Sequence, residues 1–144
     1  SKIRELPQFS LKNLLNESEA ITTKDLLIQE VSLINVFASW CIICRIEHDI
    51  LLNAKKTNKI KIYGINWKDN INDAKEWLKE MGDPYEKIIF DDKGILAQKL
   101  GITGIPETLV LNKSGEIIFQ YPGAVTEEVF EEIIRPIIEE ANKK

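Results

Sequence analysis

A short, nearly continuous apolar run, Val31–Phe37, leads through Ala38-Ser39-Trp40 into Cys41-Ile42-Ile43-Cys44. Such a run is expected of a strand buried on both faces of a parallel sheet. Helical spacing follows at once, with Cys44, Ile46–Glu47, Ile50–Leu51 and Ala54 recurring on one face to about Lys56. A buried strand that passes directly into a helix constrains the chain to an α/β architecture and sets two thiols at the junction. These are the only cysteines in 144 residues. A bridge enclosing two residues staples nothing distant, so their use is local, and two thiols at this spacing close a small ring reversibly. Redox-active pairs of this kind occur in cytosol and periplasm alike.

The rest of the chain supplies further strands and helices in alternation. Leu6–Leu11 reads as an extended segment with Phe9 and Leu11 on one face, and Thr22 or Thr23 can cap a brief helix through Ile28. Ile60–Asn66 reads as a second strand. Asp69 or Asn70 can cap a helix bearing Ala74, Trp77, Leu78 and Met81, which Gly82 ends. Lys87–Phe90 is a short strand and Ile95–Leu100 a short helix. Thr108–Leu111 and Ile117–Tyr121 form a hairpin around Asn112-Lys113-Ser114-Gly115, and Thr126 caps a last helix that Pro136 must kink or restart. The order βαβαβαββα predicts a sheet of mixed strand directions with helices on both faces. No linker or repeat interrupts it, so residues 1–144 are expected to form one domain, with residues 1–5 free.

A net charge of −4 and a pI near 5.2 argue against nucleic acid as a partner, because no Lys/Arg cluster offsets that balance. No apolar stretch approaches the ~20 residues of a membrane span, and no signal peptide is present. The sequence opens on Ser1 rather than Met, so a preceding segment is expected.

Cys41 is the expected attacking thiol. Unpaired N–H groups and the helix dipole at its position should bring its pKa below the free value of ~8.5. Cys44, one turn in, is the expected resolving thiol. Arg45 lies one turn beyond Cys41 and could favour a thiolate, while Glu47 and His48, three and four after Cys44, are candidate proton shuttles or solvated helix-face residues. A zinc site built from Cys41, Cys44, His48 and Glu47 is the sharper rival, weakened because zinc usually takes a second pair and this chain has no other Cys or His. Ile105-Pro106-Glu107 is the second notable stretch. Pro106 either marks the start of a strand, where a missing N–H is harmless, or forms a cis turn that presents the Ile105 backbone to an extended substrate.

Phe37–Cys41 with Cys44, joined to Gly104-Ile105-Pro106, resembles the thioredoxin superfamily. Further stretches are similar to periplasmic cytochrome c maturation proteins of the DsbE/CcmG type: Leu6–Phe9, Cys44–His48, Gly64–Asp69, Ala74–Leu78, Gly101–Thr108 and Ile134–Pro136. The resemblance covers about residues 5–140. It implies a thioredoxin-like fold, a mixed central sheet flanked by helices with an N-terminal extended segment, an inserted strand and helix over about residues 60–82, and a cis Pro106. It also implies a thiol–disulfide oxidoreductase in the periplasm, tethered to the inner membrane by an N-terminal helix and kept reduced by a DsbD/CcdA-type donor. Its substrate would be the disulfide of the haem-binding segment of apocytochrome c, or the thiol protein that handles it.

The resemblance gives catalytic roles to Cys41, Cys44 and Glu47, and a substrate groove formed by Trp40, Asn66, Ile105, Pro106 and Glu107. It implies no bound cofactor and no metal, because the dithiol carries the electrons. A general TlpA/ResA-type reductase and a binding module without turnover are the alternatives. Two residues depart from the family pattern: Ile42, where Pro is common, and Trp67, where Tyr is common. Dithiol proteins span about −270 to −120 mV, and the residues between the two cysteines help set where a protein falls.

Overall fold

A computed structural model describes residues 3–144. Its elements run β1 (Arg4–Glu5), β2 (Ser10–Asn13), β3 (Asn16–Thr22), α1 (Thr23–Leu26), β4 (Ser32–Phe37), α2 (Ile42–Asn58), β5 (Lys61–Trp67), α3 (Ile71–Met81), β6 (Lys87–Asp91), α4 (Ile95–Lys99), β7 (Glu107–Leu111) and β8 (Glu116–Pro122). A closing helical region follows as α5 (Glu127–Val129), a π-helical turn (Phe130–Ile134) and α6 (Arg135–Asn142).

One sheet carries all eight strands in the order β1-β8-β7-β4-β5-β6-β2-β3. β4, β5 and β6 run parallel, while β7 lies antiparallel to β4 and to β8. Mixed directions follow from the connections: helices return the chain from β4 to β5 and from β5 to β6, and a tight turn joins β7 to β8.

The side chains of β4 alternate between two cores. Leu33 and Phe37 face the cluster under α2, α3 and α6; Ile34 and Val36 face the one under α1 and α4. Every residue of β4 is buried, Ser32 and Asn35 included, as expected of a strand covered on both faces. Asn35 falls on the same side as Leu33 and Phe37, so its amide is carried beneath α2 and must find partners there.

The segment β5–α3 packs closely onto this centre. Asn70 caps α3, its Oδ1 accepting from Asn72 N and Asp73 N, and Gly82 ends it. Phe37 stacks between Trp77 and Tyr85, with ring centroids 5.5 and 4.8 Å away. Gly64 on β5 allows that stack, since a Cβ there would lie 3.0 Å from the Tyr85 ring and 3.1 Å from the Phe37 ring.

Three features differ from the sequence reading. A hairpin, β2–β3, joins the far edge of the sheet through β6, and β3 is mostly exposed and polar, so no apolar alternation announced it. Arg4 and Glu5, expected to be free, pair with Ile117 and Glu116; Ser1 and Lys2 of that expected tail lie outside the described residues. α1 ends at Leu26 rather than Ile28. Pro136 acts on the closing helix as expected but through a specific device. Its ring would collide with the carbonyl four residues back, and the preceding turn widens into a π-helical stretch that accommodates it.

No helix among the described residues is long and apolar enough to cross a membrane.

Candidate active site

The site forms where the C-terminal ends of β4 and β5 meet the N-terminal end of β7. Phe37 pairs with Asn66, and Val36 pairs with Glu107, so the chain leaving β4 toward Cys41 passes beside Asn66 on one flank and Pro106 on the other. A crevice outside the carboxyl ends of sheet strands is the usual ligand position in open α/β folds.

Cys41 is the N-cap of α2, and its Sγ accepts from the Cys44 backbone N–H at 3.2 Å. The two cysteines are joined as a disulfide with Cα atoms 5.3 Å apart, a separation well suited to the bond. Cys41 is 8% exposed and Cys44 only 2%. The Cys41 sulfur thus lies at a helix N-terminus with a backbone N–H directed at it, the arrangement that stabilises a thiolate, while Cys44 is the more deeply buried of the two.

Glu47 lies one turn beyond Cys44 on the buried face of α2. Its Oε1 accepts from Asn35 Nδ2 at 2.8 Å and its Oε2 from the Val125 backbone N–H at 2.7 Å. Burial outweighs these hydrogen bonds and raises its pKa to about 7. Asn35 completes a network under the helix. Its Oδ1 accepts from the Tyr85 hydroxyl at 2.8 Å, and its Nδ2 also donates to Thr108 Oγ1 at 3.2 Å. Tyr85 is buried, and burial pushes its phenol well above the usual tyrosine range. Asn35 and Tyr85 were not singled out from the sequence. A lone amide in the Val31–Phe37 run was the available signal for the first; nothing marked the second.

His48 turns away from the thiols. Its Nε2 is 2.7 Å from the Gly82 carbonyl oxygen, to which it donates, and its ring meets Trp77 edge-on at 4.6 Å. Nδ1 has no partner, and burial lowers the His48 pKa, so the ring is neutral near pH 7. Arg45 also points elsewhere, donating to Glu80 and toward Met81 Sδ, both at 3.3 Å. The expected help of its guanidinium to the Cys41 thiolate is absent from this arrangement. Nor do Cys41, Cys44, Glu47 and His48 converge as a four-ligand set; among the described residues no group of three or more His, Cys, Asp or Glu is arranged to hold a metal ion.

The expected groove residues divide by exposure. Trp40, next to Cys41 in the chain, is largely exposed, and so are Ile42, Ile43 and Ile46 at the start of α2. Ile105 is half-buried, and the Ile105–Pro106 peptide is cis. Asn66 and Glu107 are buried and turned inward. Asn66 Nδ2 donates to Asp69. Glu107 Oε1 accepts from Gln120 Nε2 at 2.7 Å and its Oε2 from the Thr103 N–H at 3.2 Å. Both side chains thus brace loops that carry exposed neighbours, while Asn66 Oδ1 is buried without a hydrogen-bond partner.

A cysteine pair that closes as a disulfide at the start of a helix, at the end of a mixed sheet flanked by helices, is the site of a thiol–disulfide oxidoreductase. The chain belongs to the Redoxin family, whose pattern matches residues 3–134. It is 37% identical over 139 residues to the thiol:disulfide interchange protein DsbE of Escherichia coli K12, covering 96% of this chain and 75% of that protein. To the thiol:disulfide interchange protein HelX of Rhodobacter capsulatus it is 36% identical over 135 residues, covering 94% of this chain and 76% of that one. Among solved structures, a secreted thiol-disulfide isomerase from Corynebacterium glutamicum superposes with a TM-score of 0.77 at 25% identity, over 93% of this chain and 85% of that one.

Proposed function

We propose that this protein is a specific reductant in periplasmic cytochrome c biogenesis, reducing the disulfide of apocytochrome c or of the thiol protein that delivers it. The observation that carries the reading is the 37% identity to a thiol:disulfide interchange protein DsbE along nearly the whole chain. The site supports the same chemistry. The Cys41 thiolate attacks one sulfur of the substrate disulfide, forming a mixed disulfide and releasing the first substrate thiolate. Cys44 then gives its proton to the Glu47 carboxylate and attacks Cys41 Sγ. That closes the Cys41–Cys44 bond and releases the second substrate thiolate, so two electrons have passed to the substrate. A pKa of about 7 lets Glu47 accept and return a proton near neutrality. The dithiol is restored by a membrane donor of the DsbD/CcdA type, and the protein works in the periplasm, anchored to the inner membrane by an N-terminal segment. No bound cofactor takes part.

Cys44→Ser tests this directly. The variant should accumulate mixed disulfides through Cys41 in cells that make c-type cytochromes, and the captured partners should be apocytochrome or its thiol-handling protein. Capture of many unrelated proteins would favour the second reading, a general reductase of the TlpA/ResA type, which the exposure of Trp40, Ile42, Ile43 and Ile46 near the cysteines also fits. A folded variant that captures nothing points to a binding module without turnover.

A further inference from the structure

The two residues before Cys41 are held by a loop that takes no part in the exchange itself. Asp69, between β5 and α3, accepts four hydrogen bonds: from Ser39 N–H at 2.6 Å, Ser39 Oγ–H at 2.8 Å, Asn66 Nδ2 at 2.9 Å and Asn70 N–H at 2.8 Å. One residue along, the Trp40 indole N–H donates to the Lys68 carbonyl at 3.0 Å. Two consecutive residues on the approach to Cys41 are therefore tied to two consecutive residues of the β5–α3 loop. Within the approach, a turn closed by Cys41 N–H and the Ala38 carbonyl at 3.2 Å adds a local constraint.

Capping does not explain Asp69. Asn70 already caps α3 with its own side chain, which takes the N–H groups of Asn72 and Asp73. The carboxylate of Asp69 instead points back across the site to Ser39. The loop is itself held firmly: the Lys68 N–H donates to the Asp91 carbonyl at 3.0 Å, and the Lys68 ammonium lies over the Trp67 ring at 4.8 Å. Trp67 in turn stands 6.0 Å from Trp40, centroid to centroid. What the latch fixes is thus the stance of an exposed tryptophan beside the attacking sulfur.

We infer that Asp69 is a positioning residue for partner engagement: by holding Ser39 it sets Trp40 beside the dithiol, and so sets how a polypeptide flanking a disulfide meets Cys41. The inference rests on the reading of this protein as a reductant of protein disulfides. A small disulfide has no flanking chain to lie against Trp40, so it reports the reactivity of Cys41 alone.

The test compares reduced wild type, Asp69→Asn and Ser39→Ala against two oxidants. One is bis(2-hydroxyethyl) disulfide; the other is a synthetic peptide with an intramolecular Cys-x-x-Cys disulfide. Loss of the protein dithiol is followed by quenching and thiol alkylation. The ratio of the peptide rate constant to the small-disulfide rate constant should fall about tenfold in Asp69→Asn, the scale expected when a reacting pair is slightly misaligned. Ser39→Ala, which removes only the hydroxyl, should lower the ratio less, and it carries the test should Asp69→Asn not fold. An unchanged ratio overturns the inference, whether both constants fall together or neither moves. A wild type that reacts with the small disulfide and not with the peptide overturns the protein-reductant reading, and the inference with it.

Discussion

Glu47 shows how burial brings the titration of a single carboxyl to neutrality one turn beyond a cysteine pair. Its carboxyl titrates at about 7 in the folded protein against an ordinary value of 4.5, chiefly because burial penalises the charge. A folded-state pKa raised in this way means that the native protein binds more protons than the unfolded chain between about pH 4.5 and pH 7. The contribution of Glu47 to stability is therefore intact below pH 4.5 and is lost as pH rises toward 7, by about 3 kcal/mol across that interval. His48 acts with the opposite sign, since its pKa is lowered by burial and its contribution weakens as pH falls below its unfolded value of about 6.5. Comparing wild type with Glu47→Gln separates the two. Denaturant titrations of the oxidised proteins should show wild type losing stability relative to the variant between pH 4.5 and pH 8; parallel pH profiles would mean that Glu47 does not titrate in this range. At this scale the sequence was legible where spacing determines position. Cys41, Cys44 and Glu47 fall where helical geometry puts them. Asn66 and Glu107 were assigned to the groove by resemblance alone, and spacing along a strand end does not tell whether a polar side chain turns outward or satisfies a loop N–H. Asp69 illustrates the same gap: its place before a helix reads as a cap, yet its oxygens serve Ser39.

Among the elements, β5 depends most sharply on one residue. Gly64 lies where the Phe37 and Tyr85 rings stack, and both rings are buried, so an added methyl group has nowhere to go. Gly64→Ala should cost about 1–3 kcal/mol by overpacking, read as a lower denaturation midpoint. The same change at Gly101, where an added Cβ meets nothing within 4 Å, provides the contrast for packing, though its φ of +75° adds backbone strain of its own. Elements with strong apolar periodicity were readable from the sequence: β4, α2, β5, α3 and the β7–β8 hairpin all lie within a residue or two of their expected bounds. The β2–β3 hairpin was not, because β3 lies at the sheet edge and buries only Ile21, leaving a polar strand without alternation. The π-helical turn had a visible cause in Pro136, but a kink, a restart and a widened turn all fit the same proline.

Considered whole, the molecule places its chemistry at one end of an eight-stranded sheet, where three strand ends converge. Alternation of strands and helices made the α/β class and the mixed sheet legible, whereas the strand order was not, since β2 and β3 join the edge beyond β6 through contacts distant in sequence. The whole-molecule prediction concerns breadth of action. If the protein is the specialised reductant proposed above, its dithiol should reduce insulin much more slowly than thioredoxin does, measured as precipitation of the freed insulin chains. Turnover matching thioredoxin would instead support the general reductase.

Ile42 and Ile43 stand 76% and 52% exposed on the first turn of α2, while Asn35, Glu47 and Tyr85 lie sealed beneath it. The two isoleucines lie between the two cysteines on the solvent side of α2, whereas Glu47 lies on its buried face. A designer could therefore rewrite this dipeptide to move the protein along the redox scale without unsettling the interior.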